Sequence, residues 1–153
     1  MRGIRAILRI LEDVIEGITP KTDTTHRFLS MGSGDGFTGV LDLYQNQNRI
    51  FEILLDSLSQ DDGQAGLSGR KRTGFKVRVK YDLNELQYRK LLASEDSSYI
   101  IDGLKDPNNY QTNLSGIINI IPQGGGVLEE SFEQETNPTI YLNLNFDLLY
   151  LES

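Results

Sequence analysis

The sequence predicts an α+β fold with a mostly antiparallel sheet and two helices packed on one face. Three observations predict it: an amphipathic helical pattern near the start, strict alternation of apolar and polar residues in two later segments, and a second helical pattern between them. With 153 residues, the chain has the length of one domain. We find no internal repeat and no linker, so we expect a single domain over residues 1 to 153.

The first helix is predicted over residues 2 to 18, where apolar residues recur every three or four positions between charged ones. The apolar residues are Ile4, Ile7, Leu8, Leu11, Val14, Ile15 and Ile18. Gly17 and Pro20 mark the end of the helix. Because the polar face carries both signs of charge, the apolar stripe predicts core or subunit packing and not a membrane anchor.

Three strands are predicted in the first half of the chain. One begins at residues 26 to 30 and runs into a glycine-rich loop over residues 31 to 39, and another covers residues 49 to 55. The third covers residues 74 to 83, where alternation gives one apolar face and one basic face. Between the last two strands, a polar run over about residues 56 to 73 predicts a flexible loop.

The second half predicts a helix over residues 95 to 104, with Ser94 as its N-cap and acidic residues in its first turn. A separate short helix over residues 84 to 93 would precede it. A strand follows over residues 114 to 122, then a turn or flexible tip at residues 123 to 126. The strongest pattern lies at residues 139 to 151, where alternation predicts a long antiparallel strand with one wet or interfacial side.

The net charge of the chain and its distribution limit the classes of function that we expect. A net charge of −7 argues against a general nucleic-acid binder. Residues 1 to 90 carry a net charge of +2 and residues 91 to 153 carry −9, so two faces of opposite sign would suit head-to-tail contacts between identical subunits. The alternative is an ordinary acidic surface. No apolar run is long enough to cross a membrane, and we expect synthesis in the cytoplasm.

Residues able to carry catalysis are scarce. The chain has no cysteine and one histidine, His26, which we interpret as structural. The glycine-rich segment lacks the Gly-Lys-Ser/Thr of a phosphate loop. Adjacent carboxylates such as those at residues 61 and 62 are interpreted as solvated acids. We therefore predict no catalytic, cofactor-binding or metal-ligating residue, and no enzymatic activity.

The feature that stands out is a basic stripe of Lys76, Arg78 and Lys80 on the third predicted strand, preceded by Arg70, Lys71 and Arg72. Spacing by two places the three side chains of the stripe on one face of a strand, roughly 6.5 to 7 Å apart. The stripe would contact a polyanion, form a solvated face of the sheet, or pair with the acidic second half of a neighbouring subunit. We favour the subunit contact.

Taken in order, these segments resemble the tail terminator, or tail-completion, proteins of long-tailed phages. The resemblance is carried by the N-terminal amphipathic helix, residues 49 to 54 (RIFEIL), residues 72 to 81 (RTGFKVRVKY), the helix over residues 95 to 104 and the closing strand. It implies a small α+β subunit of a hexameric ring in the virion, at the head-proximal end of the tail. The ring would assemble in the host cytoplasm, without a cofactor or membrane.

The resemblance also implies partners and contact residues. The ring would stop the polymerisation of the tail tube protein and would then join the head connector or stopper protein. DNA would pass through the ring without specific binding. The helix over residues 95 to 104 would lie at a subunit contact. The residues predicted at the subunit interface are Lys76, Arg78, Lys80, Arg70, Arg72, Glu95, Asp96 and Tyr99. The alternatives are another phage neck, connector or baseplate adaptor, and a small nucleotide-binding enzyme.

Overall fold

The computed structural model describes residues 4–22, 27–33, 49–56, 60–61, 70–81, 89–110, 116–131 and 139–151. Within these ranges the chain forms two α-helices, a short 3-10 helix and seven strands. In chain order they are α1 (Ile4–Glu16), β1 (Phe28–Ser33), β2 (Arg49–Leu55), β3 (Gln60–Asp61), β4 (Arg70–Tyr81), α2 (Arg89–Lys105), the 3-10 helix (Pro107–Asn109), β5 (Ile117–Pro122), β6 (Val127–Ser131) and β7 (Thr139–Leu151). The predicted α+β class is confirmed.

The sheet is organised around the antiparallel pair of β4 and β7, which runs from Arg70 opposite Leu151 to Tyr81 opposite Ile140. The strand order is β1-β2-β4-β7-β5, with β3 pairing β4 and β6 pairing β7 beside this path. β1 joins β2 in parallel, and the other described pairs are antiparallel. Every described strand except β1 therefore pairs directly with β4 or β7.

The alternation predicted for β7 over residues 139 to 151 is confirmed, and it separates the two faces of the sheet. On one face, buried side chains of β4 and β7 meet those of α1 and α2 in a single apolar core. The rings of Phe75 and Phe146, which lie opposite each other across the two strands, stack with 5.1 Å between centroids. Both helices therefore pack on the same face, which leaves most of the charged strand residues on the other.

Helix α1 ends at Glu16, two residues before the predicted end, and uses the predicted apolar stripe. Ile7, Leu11 and Ile15 are fully buried in the core. The amide of Gly17 donates to the carbonyl of Asp13 at 3.0 Å, which closes the last turn before the chain leaves the helical path. Residues 2 and 3 of the prediction lie outside the described residues.

The break predicted at Ser94 between two helices is wrong, because one continuous helix, α2, runs from Arg89 to Lys105. Leu92 and Ala93 lie on the same buried stripe as Ile100 and Leu104, so packing against the sheet continues the helix through the supposed cap. Residues 84 to 88 of the separate predicted helix lie outside the described residues.

Part of the predicted loop over residues 56 to 73 is strand. β4 begins at Arg70, and β3 pairs with it, with Gln60 opposite Arg72 and Asp61 opposite Lys71. This part of β4 carries polar residues at successive positions and therefore lacks the apolar alternation by which strands are recognised in sequence. Residues 57–59 and 62–69 lie outside the described part of the chain.

Two other predicted elements shift in extent. The strand at residues 26 to 30 is observed as β1, which continues to Ser33 in the predicted glycine-rich loop. His26 and residues 34 to 48 lie outside the described residues. The strand predicted over residues 49 to 55 is confirmed as β2. The strand predicted from residue 114 is observed as β5, from Ile117 to Pro122.

The predicted turn at residues 123 to 126 is a bulge and not a reversal of the chain. Pro122 pairs with Phe146 and Val127 pairs with Asn143, so five steps along the edge match three steps along β7. β5 and β6, the latter missed by the prediction, therefore form one interrupted edge strand with two extra residues. The amide of Gln123 still donates to the carbonyl of Asn145 at 2.8 Å.

The bulge is closely packed at Gly126. A Cβ placed there would lie 2.7 Å from Leu142 Cδ1, 2.9 Å from Ser97 Oγ and 3.0 Å from Leu144 Cδ2. We expect Gly126→Ala to lower the free energy of unfolding by about 1–3 kcal/mol, because the methyl group overpacks the contact with α2. Urea denaturation measures the change. Gly125→Ala is the matched control, since a Cβ at that position meets nothing within 4 Å. Equal losses in the two variants would contradict this packing.

Candidate functional site

The face of the sheet opposite the helices carries charges of both signs, and we call it the charged face. Its side chains come from alternate positions of β2, β4, β7 and β6, as the strand register requires. Among the described residues its charged members are Glu52, Arg70, Arg72, Lys76, Arg78, Lys80, Glu129 and Asp147. Asn143 and Asn145 lie between them on β7. The strands thus hold positively and negatively charged side chains at fixed spacing on this face.

Arg78 of the charged face contacts both an aromatic ring and a carboxylate. Its guanidinium carbon lies 3.8 Å from the centroid of the Tyr141 ring, and its Nη2 lies 3.2 Å from Glu129 Oε2. Glu52 lies opposite Arg78 in the register with β2. Stacking on an aromatic ring fixes a planar guanidinium while its edge still bonds a carboxylate. Arg78 therefore joins three strands across the charged face.

Glu52 is a buried acid on this face. Its side chain is 2% exposed, and its Oε1 accepts no hydrogen bond among the described residues. Burial raises the pKa of Glu52, while the positive charge of Arg78 acts in the opposite direction. Arg78 thus lies between a buried carboxylate and the exposed carboxylate of Glu129.

Arg72 makes a second ion pair at the other end of the charged face. Its Nη2 lies 2.5 Å from Asp147 Oδ2, which also accepts a hydrogen bond from Gln123 Nε2 at 3.0 Å. Lys76 makes no ion pair among the described residues and is half-buried between the neighbouring strands. The basic stripe is therefore partly neutralised by carboxylates of the same chain.

The residues predicted at a subunit interface do not form one surface. Lys76, Arg78 and Lys80 share the charged face, as do Arg70 and Arg72 by their positions in β4. The other three lie on α2, across the sheet: Glu95 is exposed, Tyr99 is half-buried and Asp96 is 1% exposed. The expectation for Asp96 is corrected, since its carboxylate lies inside the fold and not at a subunit contact.

Asp96 belongs to a cluster that we call the buried triad, formed by Arg49 of β2, Tyr81 of β4 and Asp96 of α2. Arg49 and Tyr81 are fully buried. The Tyr81 hydroxyl donates to Asp96 Oδ2 at 2.7 Å. Arg49 Nε lies 2.8 Å from the same oxygen without hydrogen-bond geometry, so this contact is electrostatic. The triad ties the middle of α2 to the sheet.

The remaining contacts of the triad hold Arg49 in place. Its Nη2 donates to the carbonyl of Thr22 at 2.6 Å, and its guanidinium carbon lies 5.6 Å from the centroid of the Phe28 ring. Sequence reasoning missed this cluster because Asp96 was interpreted as part of a helix cap. A signal was available: Leu92, Asp96, Ile100 and Leu104 recur every four residues, which places the acid on the buried stripe.

The environment of the triad changes the titration of its members. Burial raises the pKa of Asp96 from 3.8 to about 6, although Arg49 and the hydrogen bond from Tyr81 act in the opposite direction. Burial also raises the pKa of the Tyr81 hydroxyl, and the negative charge of Asp96 raises it further. Asp96 Oδ1 accepts no hydrogen bond among the described residues, which is consistent with the cost of its charged form.

A shallow cavity of about 330 Å³ lies between the C-terminal half of α1 and the 3-10 helix. Ile10, Val14 and Ile18 form its apolar floor, and Asp13 and Asn109 form its rim with Gly17. Within the described ranges, no group of three or more histidine, cysteine, aspartate or glutamate residues is arranged to hold a metal ion. No helix in this part of the chain is long and apolar enough to cross a membrane.

Comparison of the sequence with protein-family models and with curated proteins finds no match. The proposed function therefore rests on the contacts and charges of the molecule itself. The charged face can bind a protein surface of complementary charge pattern, whereas the buried triad fixes the fold beneath it.

We expect Asp96→Ala to lower the free energy of unfolding by about 3–5 kcal/mol, because it leaves the guanidinium of Arg49 buried beside an empty site. Chemical denaturation measures the loss. Glu95→Ala, its exposed neighbour on α2, is the control and should change stability by less than about 0.5 kcal/mol. A small effect of Asp96→Ala would show that the triad does not hold α2 to the sheet.

The raised pKa of Asp96 predicts a pH-dependent stability. Because the folded state binds this proton more tightly than the unfolded chain, the contribution of Asp96 to stability rises as the pH falls from 7.5 to 5. Asp96→Asn removes this titration. The unfolding free energy of the wild type minus that of the variant should increase by about 1 kcal/mol over this range. A constant or decreasing difference, measured by urea denaturation, would contradict the raised pKa.

Proposed function

We propose that this chain is a structural subunit of a ring that caps the tail tube of a long-tailed phage and joins it to the head connector. The observation that supports this most directly is the division of the sheet into a core face and a charged face. The charged face spans β2, β4, β7 and β6 and presents a fixed pattern of both signs. Such a pattern gives specificity and orientation to contacts between proteins.

The outer edge of the sheet supports contacts with other proteins as well. Val127 and Leu128 of β6 are 59% and 41% exposed, and β6 lies at the edge of the described sheet. Exposed apolar residues on an edge strand are a hazard for a free monomer unless a partner covers them. A subunit that works in an assembly has such a partner.

The pairing of Arg72 and Arg78 with carboxylates of the same chain argues against the alternative in which the basic residues bind a polyanion. Arg72 lies beside Asp147 and Arg78 beside Glu129, so two members of the basic surface already have anionic partners. This lowers the positive field that a phosphate backbone would need. It agrees with a ring through which DNA passes without being held.

The proposal predicts that the purified chain forms a discrete closed oligomer, a hexamer in the proposed ring, in native mass measurements. Electron microscopy of tails carrying a labelled chain should place the label at the head-proximal end. A label elsewhere in the virion would support another neck, connector or baseplate adaptor instead. A stable monomer, both alone and with tail tubes, would overturn the proposal.

Lys76→Glu tests the contribution of the charged face to assembly. The substitution reverses a charge that makes no ion pair among the described residues, so the internal pairs of Arg72 and Arg78 stay intact. We expect subunit association to weaken at least about tenfold, which corresponds to about 1.4 kcal/mol. Sedimentation equilibrium measures the change. Lys105→Glu at the exposed end of α2 is the control, and equal effects of the two variants would exclude a specific role for the charged face.

A further inference from the structure

Helix α1 carries its charges in an order that opposes its own dipole. Arg5 and Arg9 are exposed in the N-terminal half, whereas Glu12, Asp13 and Glu16 occupy the C-terminal half. The first turn contains no acidic residue and the last turn no basic residue. A helix is stabilised by negative charge at its N-terminus and by positive charge at its C-terminus. The charges of α1 therefore do not stabilise the isolated helix.

The same charges gain little from one another within the chain. Arg5 and Arg9 are one turn apart, as are Glu12 and Glu16, and like charges at this spacing repel. Arg9 and Asp13 have opposite signs at the same spacing, yet no ion pair joins them in the described structure. Burial and the negative charge of Asp13 raise the pKa of Glu16, as expected for acids without a nearby cation.

The outward side of α1 is therefore a stripe with a basic half and an acidic half, and neither half is neutralised within the described residues. The two halves are opposite in sign, with Arg5 and Arg9 in one and Glu12, Asp13 and Glu16 in the other. Over the 12 residues from Arg5 to Glu16 the stripe is about 16 Å long. The cavity floored by Ile10, Val14 and Ile18 adjoins the acidic half. A contact there would combine an apolar centre with a charged rim, as protein interfaces do.

We propose that the basic half of α1 docks, in a head-to-tail contact, against the acidic half of α1 in a second copy of this chain. This inference rests on the proposed ring and identifies one of its subunit contacts. A head-to-tail contact uses two unlike surfaces, so it repeats from copy to copy until the ring closes. It also brings the N-terminus of one helix dipole toward the C-terminus of the next, which adds attraction.

Two variants with opposite charge changes test this contact. Arg5→Glu with Arg9→Glu makes the whole stripe acidic, and Glu12→Lys with Asp13→Lys makes it predominantly basic. Each variant alone should associate at least about tenfold more weakly than the wild type, because like halves now meet. Mixed in equal amounts, the two should assemble into rings of alternating subunits. Glu16 is left unchanged because it accepts a hydrogen bond from the backbone of Ser30.

The controls separate this contact from folding and from the proposed function. Both variants place charges where the helix dipole favours them, so far-ultraviolet circular dichroism should show that they are folded. Lys21→Glu with Arg27→Glu makes the same charge change at exposed residues outside α1 and should assemble normally. Assembly of either variant alone, or failure of the mixture to assemble, overturns the contact. A wild type that never self-associates overturns the ring itself.

Discussion

The antiparallel pairing of β4 with β7 is the constraint on which the rest of the structure depends. It joins residues 70–81 to residues 140–151 without a break in register. β2 and β3 attach to one side of this pair, and β5 and β6 attach to the other. Because side chains alternate along both strands, the same register that directs Phe75 and Phe146 into the core directs Lys76 and Asn145 to the opposite face.

The two faces then serve different ends. On the core face, the helices supply the apolar cover and the buried triad ties α2 to β2 and β4 through Tyr81 and Asp96. A buried charge cluster is costly unless its members satisfy one another, so the contacts among Arg49, Tyr81 and Asp96 favour the observed position of α2 on the sheet. The charged face lies on the opposite side of the same strands.

Sequence patterns predict the strands in which apolar and polar residues alternate strictly. They fail where contacts with other parts of the fold determine the extent of an element or the position of a side chain. β7 and the buried half of β4 follow from alternation, and so does the assignment of Lys76, Arg78 and Lys80 to one face. The extension of β4 to Arg70 exists through pairing with β3 and not through an apolar pattern. Asp96 has the signature of a helix cap in sequence, yet packing continues α2 past it. The bond between Arg78 and Glu129 joins residues 51 apart, beyond any local pattern.

We propose that this molecule acts through surfaces that other protein subunits cover. Amine-reactive labelling, read by mass spectrometry at low and at high protein concentration, tests it most directly, since the lysines sample several surfaces. The account predicts that Lys76 on the charged face loses reactivity as the protein associates, while Lys105 at the end of α2 keeps it. Equal reactivity of Lys76 at both concentrations, in protein shown to be associated, would contradict the claim.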